Sequence, residues 1–85
     1  MWWLLFGALA AAAIITIAVS CFIDQNKLCE IAGDKVGLHK AIKIVVKDAK
    51  RVKFKELESE QEYEVETSDY VSSELHEGQI MYTTY

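Results

Sequence analysis

The residues best suited to chemistry in this chain are few and scattered. His39 and His76 stand far apart, and Cys29 is near neither. Zinc sites recur as paired Cys or His ligands a few residues apart, a spacing these three do not make. Each reads as an ordinary side chain, and no metal site is expected. Glu56, Glu58, Glu60, Glu62, Glu64 and Glu66 recur at every second position. On a strand that period places all six on one face. A hard cation could sit on such a row, but a solvated face is the simpler reading. Paired-carboxylate catalysis needs two acids in contrasting environments, and these six look alike. No glycine-rich phosphate loop and no Ser–His–Asp pattern stands out. Cys21 follows Ala18-Val19-Ser20, a small residue before cysteine as in a lipoprotein signal. Its chemistry would be lipidation of the thiol. Ala18, however, stands where such signals usually have Leu, and no Lys or Arg lies near Met1. The chain is therefore not expected to be an enzyme or to carry a cofactor.

The element that would position everything else is the apolar run from Trp2 to Ile23. It carries no charge and only two hydroxyl side chains, Thr16 and Ser20. As a helix, 22 residues at about 1.5 Å each reach roughly 33 Å, against a hydrocarbon core about 30 Å thick. A retained transmembrane anchor is the expectation. A cleaved signal would have a shorter apolar core and a basic start. Trp2 and Trp3 would sit at one interface. Gly7 and Ala11, four apart, would let a second helix approach. Ile23 would end the span. Lys27, Lys35, Lys40 and Lys43 follow the run, so the positive-inside rule puts the C-terminal part in the cytoplasm. The expected location is the cell inner membrane, crossed once.

Beyond Ile23 only 62 residues remain, near the lower limit for one folded domain. The formal charge of −4 hides a segregation. Residues 27–55 hold all nine Lys and Arg against three acids, whereas residues 56–85 hold nine acids and no Lys or Arg. Pairing of the two halves is the preferred reading. The basic stretch has no aromatic but Phe54, which argues against nucleic acid. Cys21 and Cys29 are not expected to form a disulfide.

Residues 24–40 read as a stem, with Leu28, Ile31 and Ala32 continuing a helix that Gly33 ends. From Ala41 the alternation of Ile42, Ile44 and Val46 against Lys43 and Lys47 predicts a strand. Val52 and Phe54 alternate with lysines, and Tyr63 and Val65 with glutamates, which predicts a hairpin. Two registers keep an apolar face and a Lys–Glu face: Phe54 opposite Val65, or Phe54 opposite Tyr63 with Lys53 opposite Glu64. Ser68-Asp69 reads as a helix cap, with a short helix to Leu75 turned inward through Tyr70, Val71 and Leu75. Gln79 to Tyr85 is a last strand, Ile80, Tyr82 and Thr84 on one face and Met81, Thr83 and Tyr85 on the other.

The anchor, the glutamate-rich strand and the ending SDYVSSELHEGQIMYTTY resemble the small bacterial membrane proteins grouped as "domain of unknown function 2500". That resemblance covers residues 41–85 and the N-terminal run. Here Gln79-Ile80 follow the Gly where the family usually has Asp and a second Gly, and the family continues into another strand. It implies a small β domain on an anchor and brings no established activity. The expected fold class is a single N-terminal transmembrane α-helix (1–23), a stem (24–40) and a small, mainly antiparallel β domain, a barrel or roll with one short helix (41–85). The expected function is protein–protein interaction through the last strand at Ile80, Met81, Tyr82 and Tyr85. A structural subunit packing through its transmembrane helix, or a lipoprotein modified at Cys21, are the alternatives. Expected partners are membrane lipid and a protein or second copy, not nucleic acid.

Overall fold

The computed structural model describes residues 14–83. Their elements are β1 (Ile14–Val19), α1 (Gln25–Val36), β2 (Ala41–Lys47), β3 (Arg51–Glu56), β4 (Glu62–Thr67) and β5 (Ile80–Tyr82). The strands form one five-stranded sheet in the order β1-β4-β3-β2-β5. β1 runs parallel to β4, and the other neighbours are antiparallel.

This overturns the expected fold class, and with it the single-pass location in the inner membrane. Residues 14–19 of the apolar run are a strand, Ile14 lying opposite Glu62 and Val19 opposite Thr67. Among the described residues, no helix is long and apolar enough to cross a membrane. The physical reason lies in residue type. Ile14, Ile15, Thr16, Ile17 and Val19 are β-branched, lose rotamer freedom in a helix and suit a pleated surface. Ile23 does not end a span; it is fully buried in the core and makes an isolated parallel bridge with Val71. Trp2, Trp3, Gly7 and Ala11 lie outside the described residues. The expected mainly antiparallel barrel or roll is instead a single mixed sheet, which β1 enters in parallel.

Residues 25–36 form an amphipathic helix packed into the same core. Asp24 caps it, accepting the Lys27 amide at 2.8 Å. Leu28, Ile31 and Ala32 recur at helical spacing and are buried. The helix runs past Gly33 and stops at Gly37, whose φ of 99° suits glycine and whose amide donates to the Gly33 carbonyl at 2.9 Å.

β2, β3 and β4 form a meander. The hairpin takes the register with Phe54 opposite Tyr63, Val52 opposite Val65 and Lys53 opposite Glu64. The Phe54 and Tyr63 rings stack at 5.1 Å, which adds about 0.5–1.5 kcal/mol beyond burial. Ile42, Ile44, Val52, Phe54, Val65 and Met81 turn toward the core shared with α1. The other face carries Lys43, Lys53 and Lys55 beside Glu62, Glu64 and Glu66 on β4. Glu64 pairs with Arg51 at 3.3 Å rather than with Lys53. Lys43 lies directly opposite Lys55, a like-charge pair across β2 and β3.

The expected helix at Ser68–Leu75 is absent, because its backbone groups bond to distant segments instead. The Val71 amide donates to the Ala49 carbonyl at 2.7 Å, and the Ser72 amide to the Ile23 carbonyl at 2.8 Å. The Ile23 amide in turn donates to the Tyr70 carbonyl at 2.9 Å. Val71 and Leu75 are buried as expected, whereas Tyr70 is exposed with the Lys50 ammonium 5.3 Å from its ring centre.

Candidate interaction edge

Among the described residues β5 ends the sheet, so one of its sides faces β2 and the other faces outward. Which backbone groups face outward follows from the ladder. The Thr83 amide donates to the Lys40 carbonyl, and the Ile44 amide to the Gln79 carbonyl, both at 2.9 Å. In an antiparallel ladder, bonded and non-bonded pairs alternate. Residues 79, 81 and 83 therefore bond toward β2, and Ile80 and Tyr82 direct their N–H and C=O groups outward. The pairing of Ile80 with Lys43 and Tyr82 with Ala41 gives the same alternation. Their side chains stand on the face away from α1 and are 53% and 62% exposed, high for an isoleucine and a tyrosine. From Gln79 to Thr83 there is no charge and no proline, the two usual protections of a natural edge. Met81, expected at the same edge, instead buries its side chain in the core. Tyr85 lies outside the described residues.

Two polar residues not singled out from the sequence fix the backbone of this region. Thr83 is fully buried. Its hydroxyl donates to the Gly37 carbonyl at 2.6 Å and accepts the Lys40 amide at 2.8 Å. Its own carbonyl accepts the His39 amide at 2.7 Å. Thr83 thus clasps the turn after α1 to the end of β5. The signal was present in the alternation, which puts Thr83 inward beside Met81. An inward hydroxyl needs partners. Glu56 is the second. Parity places it with Val52 and Phe54 on the buried face, apart from Glu62, Glu64 and Glu66, so the acids do not share one face. Its carboxylate accepts the Glu58 and Ser59 amides, both at 2.9 Å, and closes the β3–β4 turn. The Ser59 hydroxyl, these two amides and the nearby Lys40 charge hold its pKa below the usual value.

Beside Tyr82 lies an open cleft of about 350 Å³, bounded by His39, Lys40, Ala41, Leu57, Glu58 and Tyr82. Ala41 pairs with Tyr82 on one side and accepts the Leu57 amide on the other, so a small residue sits between two large ones. Lys40 pairs with Glu58 at 3.0 Å, and this contact raises the lysine pKa. His39 adopts φ 61°, an uncommon conformation for a non-glycine residue.

The remaining candidates are dispersed. His76 donates its amide to the Gln79 side chain at 3.0 Å and lies in the turn before β5. Among the described residues no three His, Cys, Asp or Glu side chains converge on a point where a metal could sit. Cys29 is buried in α1, where burial raises its pKa, and Cys21 is a half-buried free thiol. The Cys21 carbonyl accepts the buried Thr67 hydroxyl. Cleavage before Cys21, as a mature lipoprotein requires, would detach β1 from the rest of the chain.

Compared with known protein families, curated proteins and solved structures, the chain matches none. The resemblance noted from the sequence rests on its short motifs alone.

Proposed function

We propose that this chain is a non-catalytic protein-interaction module that captures an extended segment on the free edge of β5. The observation carrying this reading is the outward pair Ile80 and Tyr82, uncharged, exposed and with backbone groups directed away from β2. Added strands gain affinity from main-chain hydrogen bonds and specificity from alternate side chains. Both are on offer here, on a strand fixed from behind by Thr83 and Met81. Replacing Ile80 or Tyr82 with Lys adds a charge to the edge without touching the core. A co-purifying partner should be lost from either variant while the domain stays folded. Unchanged co-purification from both would remove this edge from consideration.

A further inference from the structure

The partner at the β5 edge can be named by its chemistry. Resting on the edge reading above, we propose that it is a second copy of this chain, joined β5 to β5 antiparallel about a two-fold axis at Met81. In that arrangement Ile80 lies opposite Tyr82 of the partner copy, and Tyr82 opposite Ile80. Both residues direct their backbone groups outward, so both positions become hydrogen-bonded pairs, with Cα atoms about 5.5 Å apart. Each pair exchanges two bonds, and the edge satisfies itself without a foreign sequence. Side chains on the open face then meet as two isoleucine–tyrosine pairs, and β-branched with aromatic is a favourable cross-strand combination. A two-fold contact needs a surface complementary to itself, and the order Ile80-Met81-Tyr82 supplies that.

Charge separates this edge from the one at the far side of the sheet. β1 is also uncharged and partly exposed, but Ile14, Thr16 and Ala18 lie directly beside Glu62, Glu64 and Glu66. Joining two copies through β1 would bring two rows of three carboxylates within about 15 Å, three strand spacings. At β5 the neighbouring residues are Ala41 and Lys43. A β5 seam therefore puts Lys43 and the mutually neutralising Lys40–Glu58 pair of each copy near the junction, where a β1 seam would put three acids, of which Glu64 is paired with Arg51. The repulsion is correspondingly smaller.

The test is sedimentation equilibrium on the full chain over roughly 10 µM to 1 mM, the range suited to an interface this small. The wild type should shift from 9.6 kDa toward twice that mass as concentration rises. Amide exchange of Ile80 and Tyr82 should slow over the same range, while Met81 stays protected throughout. Tyr82→Pro removes an N–H that faces away from β2, a position where an edge strand accepts proline. It should weaken association by about tenfold or more, since one bond is lost from each copy. Ile80→Lys should weaken it similarly by a different route. Continued Met81 protection in both variants shows that β5 remains paired to β2. A wild type that stays at 9.6 kDa to 1 mM, association indifferent to both variants, or species larger than a dimer would each overturn the proposal. If the wild type is monomeric yet the variants still lose a co-purifying protein, the edge reading survives and the second copy is wrong. If the variants change neither association nor co-purification, both readings fall.

Discussion

Replacing Thr83 with Val should loosen the β5 edge from within. The two side chains are nearly the same size, so the change deletes hydrogen bonds without opening a cavity. Lost are the bond to the Gly37 carbonyl at 2.6 Å and the bond from the Lys40 amide at 2.8 Å. An intramolecular hydrogen bond contributes about 1 kcal/mol net, but a buried group left without a partner costs about 1–3 kcal/mol. Two groups are orphaned here, and the added methyl returns roughly 0.8 kcal/mol. The expected loss is about 2–3 kcal/mol. A domain of this size has a total stability of only about 5–10 kcal/mol, and each kcal/mol shifts Tm by about 4–8 °C. Thermal and urea unfolding followed by circular dichroism should therefore show Tm falling by roughly 10–20 °C. Thr83→Ser keeps the hydroxyl and loses only a methyl, so it should cost about 1 kcal/mol. A Val variant within about 0.5 kcal/mol of wild type, or a Ser variant worse than Val, would refute the claim that the hydroxyl clasp fixes this edge.

Two further outcomes follow from the same geometry. Glu56 has a folded pKa below its ordinary value near 4.5, so the unfolded chain binds more protons through the window beneath that value. Its stabilising contribution is present above about pH 4.5 and is lost as pH falls through the depressed folded value; urea midpoints of wild type and Glu56→Gln should converge on acidification. Asp24→Ala removes the cap of α1 and should cost about 1 kcal/mol, read from urea unfolding, because the Lys27 amide loses its acceptor.

The meander was legible because its side chains alternate. Val52, Phe54, Tyr63 and Val65 face one way with charged residues between them, and a slip of one position would have buried lysines. β1 was not legible. Ile14, Ile15, Thr16, Ile17, Ala18 and Val19 show no alternation, and an unbroken apolar stretch reads equally as a buried helix or a strand. What decides is β4, whose outer side is free to pair with it, and that fact lies far along the chain. The stretch after Ser68 carries a helix-cap signature, yet Ala49 and Ile23 claim its backbone groups. Local signals lose where distant partners bind the same atoms. Thr83, which secures the candidate edge, and Glu56, which closes the β3–β4 turn, were visible only as polar side chains on the inward parity. The exposed residues of the edge itself, Ile80 and Tyr82, were readable from the absence of charge.

The parallel pairing of β1 with β4 also sets an order of events during folding. β2, β3 and β4 are joined by short turns and can find one another quickly. β1 must close a loop of more than 40 residues, 20–61, before it gains a single ladder bond. Non-local pairing of this kind is slow. Until it is complete, the segment Ile14–Val19 is an uncharged, β-branched stretch with no proline, the composition most prone to joining other chains. Newly made protein would be most vulnerable to aggregation in that interval, and crowding at high expression would lengthen the list of wrong partners available to it.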